Sequence, residues 1–209
     1  MPVLIKNCGL KTSDDITTAA TTGAHFAGFV HHEASPRHVA LGDLEALVAH
    51  AKPLLKTVVV LKAPSEGLLW EITNLVAPDF IQLHQFPSVD YIRKIADQTG
   101  IPIISALSVR DAQDLAMAEA LEDVSAHVLF DAPQAGSGKT FDWQLLKTLT
   151  MKNPWFLAGG LTIDNVAEAI RATHAPMVDV SSGIESAPGV KSAEKIAAFN
   201  AAVLHASHA

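Results

Sequence analysis

Cys8 and Asp131 are the two residues of this chain whose types could move protons in opposite directions. A thiol acts as a base only as thiolate, so its pKa must fall from about 8.5 toward the working pH, which a nearby cation favours. Lys6, two residues earlier, is such a cation. A carboxyl group donates at neutral pH only when an apolar surround or negative charge keeps it protonated. Asp131 follows Phe130 at the end of an apolar run, which supplies that setting. Each residue has a plainer reading, Cys8 as a buried structural thiol and Asp131 as a turn former before Ala132-Pro133.

A second chemistry lies near the C-terminus. Phe156-Leu157-Ala158-Gly159-Gly160-Leu161 and Met177-Val178-Asp179-Val180-Ser181-Ser182-Gly183 each read as an apolar strand running into a turn of small residues. Such turns leave backbone N–H groups uncovered, and a phosphate can take the space a side chain would fill. Gly159, Gly160, Ser182 and Gly183 are therefore candidate phosphate ligands; one such turn alone would only let a strand pass into a helix. Arg37, after Ser35-Pro36, suits a carboxylate through two parallel hydrogen bonds, although a lone arginine is as readily a surface group. His84, closing Gln82-Leu83-His84, is either a substrate-binding group or a structural histidine bonded to backbone. His31-His32-Glu33 invites a metal reading, but neighbours on a strand point to opposite faces and no metal is expected. Gly136-Ser137-Gly138-Lys139-Thr140 imitates the end of a nucleotide-binding loop. Pro133 stands where that pattern needs glycine, and Phe141-Asp142-Trp143 opens no long apolar helix, so a flexible loop over a site with Lys139 solvated is the commoner reading.

These residues need a frame. Strands are expected at Val3–Lys6, Phe26–Val30, Thr57–Leu61, Phe80–Leu83, Pro102–Ala106, Ala126–Phe130, Trp155–Ala158 and Met177–Ser181. Helical spacing lies between them: Leu68, Ile72, Leu75 and Val76 after a Ser65 cap; Leu44, Leu47 and Val48; Ile92 and Ile95; Ile196, Phe199 and Val203 after Ser192. The sixth unit is weaker, a short helix from Asp142 through Leu145, Leu146 and Leu149. Alternation of this kind implies parallel strands joined by crossover helices. Eight units over 209 residues favour one closed (β/α)8 barrel domain spanning 1–209 over an open doubly wound sheet. In that barrel the loops after strands seven and eight form the usual phosphate site, and Cys8, Arg37, His84 and Asp131 all fall at or after carboxyl ends of strands, on the same face.

Composition agrees with a globular protein: 49% hydrophobic and 18% charged residues, with a net charge of -7 spread along the chain. Scattered basic residues argue against nucleic acid, and no leader or membrane-length apolar run argues against a membrane, so a cytoplasmic protein is expected. One cysteine allows no disulfide framework. Trp70 or Phe86 could serve a dimer contact, so the chain is expected as monomer or homodimer.

Taken together, Lys6-Asn7-Cys8-Gly9, Ser35-Pro36-Arg37, Gln82-Leu83-His84, Asp131 with Phe141-Asp142-Trp143, Leu157-Ala158-Gly159-Gly160-Leu161, and Asp179 through Glu185 to Pro188-Gly189-Val190-Lys191 resemble the phosphoribosylanthranilate isomerases of tryptophan biosynthesis, in order along the whole chain. The resemblance implies a (β/α)8 barrel that rearranges a small phosphorylated aminosugar without cofactor or metal. It implies Asp131 as general acid on the ribose ring oxygen, Cys8 as general base at the sugar C2, Arg37 on the anthranilate carboxylate, and Gly159, Gly160, Ser182 and Gly183 around the phosphate. Asn7, His31, His32, Gln85 and Ala135 depart from the family pattern, and none removes a proton-transfer group. The alternatives are another phosphate-binding barrel enzyme, such as a sugar-phosphate epimerase or a dual-substrate isomerase, and a non-catalytic phosphate-binding module. Dual-substrate enzymes usually carry aspartate in place of Cys8, and a binding module would need neither Cys8 nor Asp131.

Overall fold

Thr57-Val58-Val59-Val60-Leu61 is apolar or β-branched at every position, so a strand built from it must be covered on both faces. The computed structural model, which describes residues 2–133, 140–147 and 149–207, meets that demand with a closed parallel barrel. Its strands are β1 (Leu4–Cys8), β2 (Phe26–Val30), β3 (Lys56–Lys62), β4 (Phe80–His84), β5 (Ile103–Ser108), β6 (His127–Asp131), β7 (Phe156–Leu157) and β8 (Met177–Val180). Each lies where the sequence places a strand, displaced by at most two residues at an end. Strand β1 closes the ring by pairing with both β2 and β8, and Lys6 stands beside Asp179 across that seam.

Helices α1 (Ser13–Thr21), α2 (Leu41–Ala51), α3 (Glu66–Glu71), α4 (Val89–Thr99), α5 (Ala118–Glu122), α6 (Val166–Thr173) and α7 (Ala193–Ala206) cover the outside. Their starts follow local chemistry. Thr12 and Asp15 form a reciprocal capping box on α1, and Ser65, Ser88 and Ser192 each accept a backbone N–H at the start of α3, α4 and α7. Leu68 packs partly buried against the core with Ile72 and Val76, but Leu75 does not share that stripe, because α3 passes at Ile72 into a wider π turn that leaves it 47% exposed. The sixth unit shrinks to a 3-10 turn, Trp143–Leu146, capped by Asp142. Between β8 and α7 lie a 3-10 turn (Ser182–Ile184) and a hairpin of β9 (Glu185–Ala187) and β10 (Val190–Lys191), which the sequence reading did not anticipate. Among the described residues no helix is long and apolar enough to cross a membrane. The Gly136–Lys139 stretch and Ala135 lie outside the described residues.

Two cores result. Between strands and helices runs a continuous layer that includes Ile5, Phe29, Leu44, Val59, Leu83, Ile92, Phe130, Val178 and Phe199. Inside the ring, Phe26, Val58, Ile104, Leu129, Phe156 and Met177 form a plug, with Phe26 packed edge-on against Phe80 and Phe156 at 5.9 and 5.3 Å. The outer layer holds one polar knot. Asn7 exchanges amide hydrogen bonds with Asn200 on α7 (3.1 and 3.2 Å), and Asn200 Nδ2 also donates to Thr22 Oγ1 at 2.8 Å. Both asparagines are fully buried, so the Asn7 amide is accommodated by a partner 193 residues away. Asn200→Ala is expected to strand the Asn7 amide and lower unfolding free energy by about 2–3 kcal/mol, measured by urea denaturation. The paired change Asn7→Val with Asn200→Leu should recover most of that loss.

Candidate active site

Side chains alternate across a strand, so on β1 the pair Lys6 and Cys8 face the barrel interior while Ile5 and Asn7 face the helices. The same alternation turns Gln82 and His84 inward on β4, Leu129 and Asp131 on β6, and Asp179 on β8. With the apolar plug filling one end, these polar side chains gather at the carboxyl end around a cavity of about 450 Å³. Cys8, Arg37, Gln82, His84, Asp131, Asp179 and Ser181 all line it, with His32 and Gln85 at its wall.

Lys6 lies beneath that cavity with its side chain wholly buried, and its Nζ donates to Asp179 Oδ1 at 2.8 Å. Burial alone would drive the ammonium down, but the Asp179 carboxylate and Cys8 more than offset this and hold it above the usual lysine range. Asp131 is 8% exposed, and its Oδ1 accepts the Ala132 backbone N–H at 2.8 Å. Burial, and then the Asp179 charge, push its carboxyl up to about 7, against the opposing pull of the Ala132 N–H and Lys6. The carboxyl thus holds its proton up to about neutral pH, the direction the sequence reading expects. The negative neighbour is Asp179, which that reading did not single out. Cys8 departs from expectation in the other direction. Burial raises the thiol above its ordinary range, and Asp179 adds to this, while Lys6 and Lys191 pull it down without prevailing. In this state both members of the pair favour the protonated form.

Among the described residues His84 is not bonded to backbone. Its Nε2 lies 2.8 Å from the side-chain amide of Gln82, one hydrogen bond whose direction follows the ring tautomer. Burial, with Lys6 and Lys62 nearby, lowers its pKa to about 4, so it is a neutral group at this mouth. Gln82 Oε1 is buried and has no partner among the described residues. Gln85 occupies the left-handed region at φ +55°, a conformation that a glycine adopts without steric cost. His31 turns away to the Val39 carbonyl at 2.8 Å while His32 faces the cavity, the divergence expected of strand-end neighbours. Among the described residues no three acidic, histidine or cysteine groups are placed to hold a metal ion.

Arg37 is engaged: Nε and Nη2 donate to Glu185 Oε1 and Oε2 at 2.7 and 2.9 Å. Glu185 on β9 and Lys191 on β10 were quoted only within a motif, and no role was read for them in sequence; Glu185 pairs with Arg37, 148 residues away, and with Lys191. The one local signal for Asp179 was a carboxylate at an inward position of an otherwise apolar strand.

The glycine turns sit beside the cavity rather than in its lining. Gly159 and Gly160 have φ +85° and +64°, and a Cβ on Gly159 would lie 2.5 Å from Ala132 N, the residue after Asp131. A Cβ on Gly183 would collide with the Leu161 carbonyl, so the two turns abut. Asn165 locks the first turn by accepting from Thr162 N and donating to the Gly160 carbonyl. Among the described residues, the Gly159 and Gly160 N–H groups meet no acceptor. Ser181, next to Ser182, connects this region to the cavity by donating its hydroxyl to the Cys8 carbonyl at 3.1 Å.

Comparison with known proteins agrees with this geometry. Residues 5–202 match the family profile described as N-(5'-phosphoribosyl)anthranilate (PRA) isomerase. An N-(5'-phosphoribosyl)anthranilate isomerase of Rhodopseudomonas palustris is 40% identical over 206 residues, covering 95% of this chain and 94% of its own. The crystal structure of phosphoribosyl anthranilate isomerase from Thermotoga maritima superimposes with a TM-score of 0.87 at 28% identity, covering 96% of this chain and 98% of its own. Two further structures superimpose at 0.83 and 27% with the same coverage: one of monomers generated from the dimeric Thermotoga maritima enzyme, the other of such an isomerase with reduced 1-(o-carboxyphenylamino)-1-deoxyribulose 5-phosphate. With its barrel, its inward Cys8 and Asp131 and its whole-length match, the chain belongs to the N-(5'-phosphoribosyl)anthranilate isomerase family.

Proposed function

We propose that this chain, one barrel domain over residues 1–209, converts N-(5-phosphoribosyl)anthranilate to 1-(2-carboxyphenylamino)-1-deoxyribulose 5-phosphate, an Amadori rearrangement in tryptophan biosynthesis. The observation that carries the reading is a carboxyl held near pKa 7 and a thiol lining the same cavity, with a guanidinium and a pair of glycine turns at its edge. Asp131 gives its proton to the ribose ring oxygen as the bond from that oxygen to C1 breaks, and the aniline nitrogen lone pair forms the C1 iminium. Cys8 as thiolate then takes the C2 proton, and the C–H electron pair forms the C1–C2 double bond and neutralises the iminium. The resulting enolamine becomes the C2 ketone as C1 gains a proton and the C2 hydroxyl loses one, so product is an isomer of substrate, and proton exchange with solvent returns Asp131 to its acid and Cys8 to its thiolate. Arg37 binds the aromatic carboxylate, the turns at Gly159, Gly160, Ser182 and Gly183 bind the phosphate, and neutral His84 hydrogen-bonds the sugar. Holding both ends fixes C1 and C2 between acid and base. The residues need no metal or cofactor for these steps, and a small phosphorylated substrate rather than nucleic acid or membrane is the partner. The setting is the cytoplasm, with the chain as monomer or homodimer.

Purified protein is expected to accelerate the decay of anthranilate-type fluorescence of freshly generated substrate beyond spontaneous hydrolysis, with the deoxyribulose product recovered. No acceleration by folded protein would sink the assignment. Cys8→Ser and Asp131→Asn should each lower kcat/KM by roughly 100-fold or more.

The active pair is Asp131 protonated with Cys8 ionised, although the acid has the lower pKa. That form is a minor one, so kcat/KM should rise toward pH 7, run flat, and fall only above the ordinary thiol range. Asp179 raises both groups, so Asp179→Asn should move the ascending limb below pH 7, read from a pH–rate profile.

The same proton bears on stability. The folded chain keeps it up to about pH 7, whereas an unfolded aspartate loses it near about pH 4. The contribution is therefore complete below about pH 4 and lost as pH rises through about 7, which leaves a buried charge behind. Asp131→Asn is expected to be more stable than the parent at pH 8, by on the order of 4 kcal/mol, with the difference vanishing near pH 4, measured by urea denaturation across that range.

A further inference from the structure

A guanidinium has two edges that can hold a carboxylate, and in Arg37 one is taken. Nε and Nη2 form the side edge and are occupied by Glu185 Oε1 and Oε2. Nη1 and the second Nη2 hydrogen form the end edge, again two parallel donors. Arg37 lines the cavity and Glu185 does not, so with the side edge taken the end edge is the one left for a ligand there. Glu185 is itself a fixture. Its side chain is 5% exposed, its Oε1 also accepts from Lys191 Nζ at 2.8 Å, and its backbone carbonyl accepts from Lys195 Nζ at 2.7 Å. Lys191, wholly buried, stands across the β9–β10 ladder from Glu185 and donates again to the Ser181 carbonyl at 2.9 Å. The loop that carries Arg37 is held from the other side. Gly189, at φ +79°, packs so tightly under the Pro36 carbonyl that a Cβ would collide with it. Arg37 N also bonds Ser35 Oγ at 3.1 Å.

Charge completes the argument. A carboxylate paired only with Arg37 would cancel the charge that attracts an anionic substrate. Here two cations share one carboxylate, so Lys191 neutralises Glu185 and the cluster keeps one positive charge facing the cavity. We propose that Glu185 is a positioning residue for the isomerisation, holding the side edge of Arg37 so that its end edge is aimed at the substrate's aromatic carboxylate. This rests on the isomerase reading above. The β9–β10 hairpin then has a function, which is to deliver Glu185 and Lys191 to the β2 loop.

The test uses two probes in calorimetric titration: reduced 1-(o-carboxyphenylamino)-1-deoxyribulose 5-phosphate and its phenyl counterpart lacking the carboxylate. The parent protein should prefer the carboxylated probe. Glu185→Gln should lose about tenfold or more of that preference, the scale of one misaimed charge-assisted hydrogen bond, while binding the phenyl probe within about twofold of the parent. With substrate, KM should rise by a similar factor and kcat should change far less. On an Arg37→Ala background the same change should cost no further preference. Glu185→Asp leaves Lys191 its counter-charge but falls one methylene short of Arg37, and should show the same selective loss should the glutamine variant fold poorly. Equal losses for both probes, a fall in kcat matching the rise in KM, or an unchanged preference would each overturn the positioning role. An inactive parent protein would overturn the isomerase reading instead.

Discussion

An ammonium group buried inside an apolar barrel sets the terms for the rest of this site. Lys6 sits above the Phe26, Phe156 and Met177 plug with no exposure to solvent, where an unpaired charge would cost several kcal/mol. Its partner has to come from a neighbouring strand, and β8 supplies Asp179 in direct register. That pairing requires the ring to close, because β1 and β8 stand at opposite ends of the barrel sequence. Closure and site electrostatics are thus one condition. Burial already disfavours ionisation of a second carboxyl at the same mouth, and the Asp179 carboxylate adds to this, so Asp131 holds its proton up to about pH 7. A neighbouring thiol meets the same two opposing fields, that of Lys6 and that of Asp179, and the balance with burial leaves it as the weaker acid of the pair.

The arrangement stores instability where the chemistry happens. Asp131 ionised would be a buried charge near another of the same sign, and Cys8 ionised would depend on Lys6 and Lys191 for support. Cys8 is therefore not in its most stable form when it is ready to react, and Asp131 is not once it has given up its proton. Surrounding structure must therefore be rigid enough to carry the deficit. The outer core between strands and helices, the reciprocal Asn7–Asn200 amides and the interlocked glycine turns supply that rigidity away from the reacting atoms.

Legibility in sequence followed the range of the interaction. All eight barrel strands were readable, because a continuous apolar run is a local property of the chain. The caps at Ser65 and Ser192 were readable for the same reason. Cys8, Arg37, His84 and Asp131 could be named as candidates from their positions at strand ends, and the structure brings all four to one cavity. What could not be read was who pairs with whom. Lys6 and Asp179 are 173 residues apart and Arg37 and Glu185 148 apart, and nothing local to any of the four announces its partner. The direction of the Cys8 shift was lost with those pairings, since proximity of Lys6 in sequence says nothing of the opposing carboxylate or of burial. The π turn at Ile72 escaped for another reason: the apolar spacing suits an ordinary helix, and the widening shows only in which of those residues reach the core.

Strand parity explains why the departures from the family pattern leave the proton-transfer pair intact. Asn7 separates Lys6 from Cys8 in the chain, yet the two-residue period of β1 sends it outward to α7 while they turn inward. Its polarity is answered by Asn200 in the outer layer and never enters the cavity. Gln85 belongs to the other class, since it lies beyond the end of β4, where no ladder fixes parity, and it reaches the cavity wall in a backbone conformation that glycine would adopt more cheaply. A substitution inside a strand is thus confined to one face and can be compensated there. One in the loops at the carboxyl end acts directly on the shape of the mouth, as Gln85 and His32 do where they line the cavity and Asn7 does not.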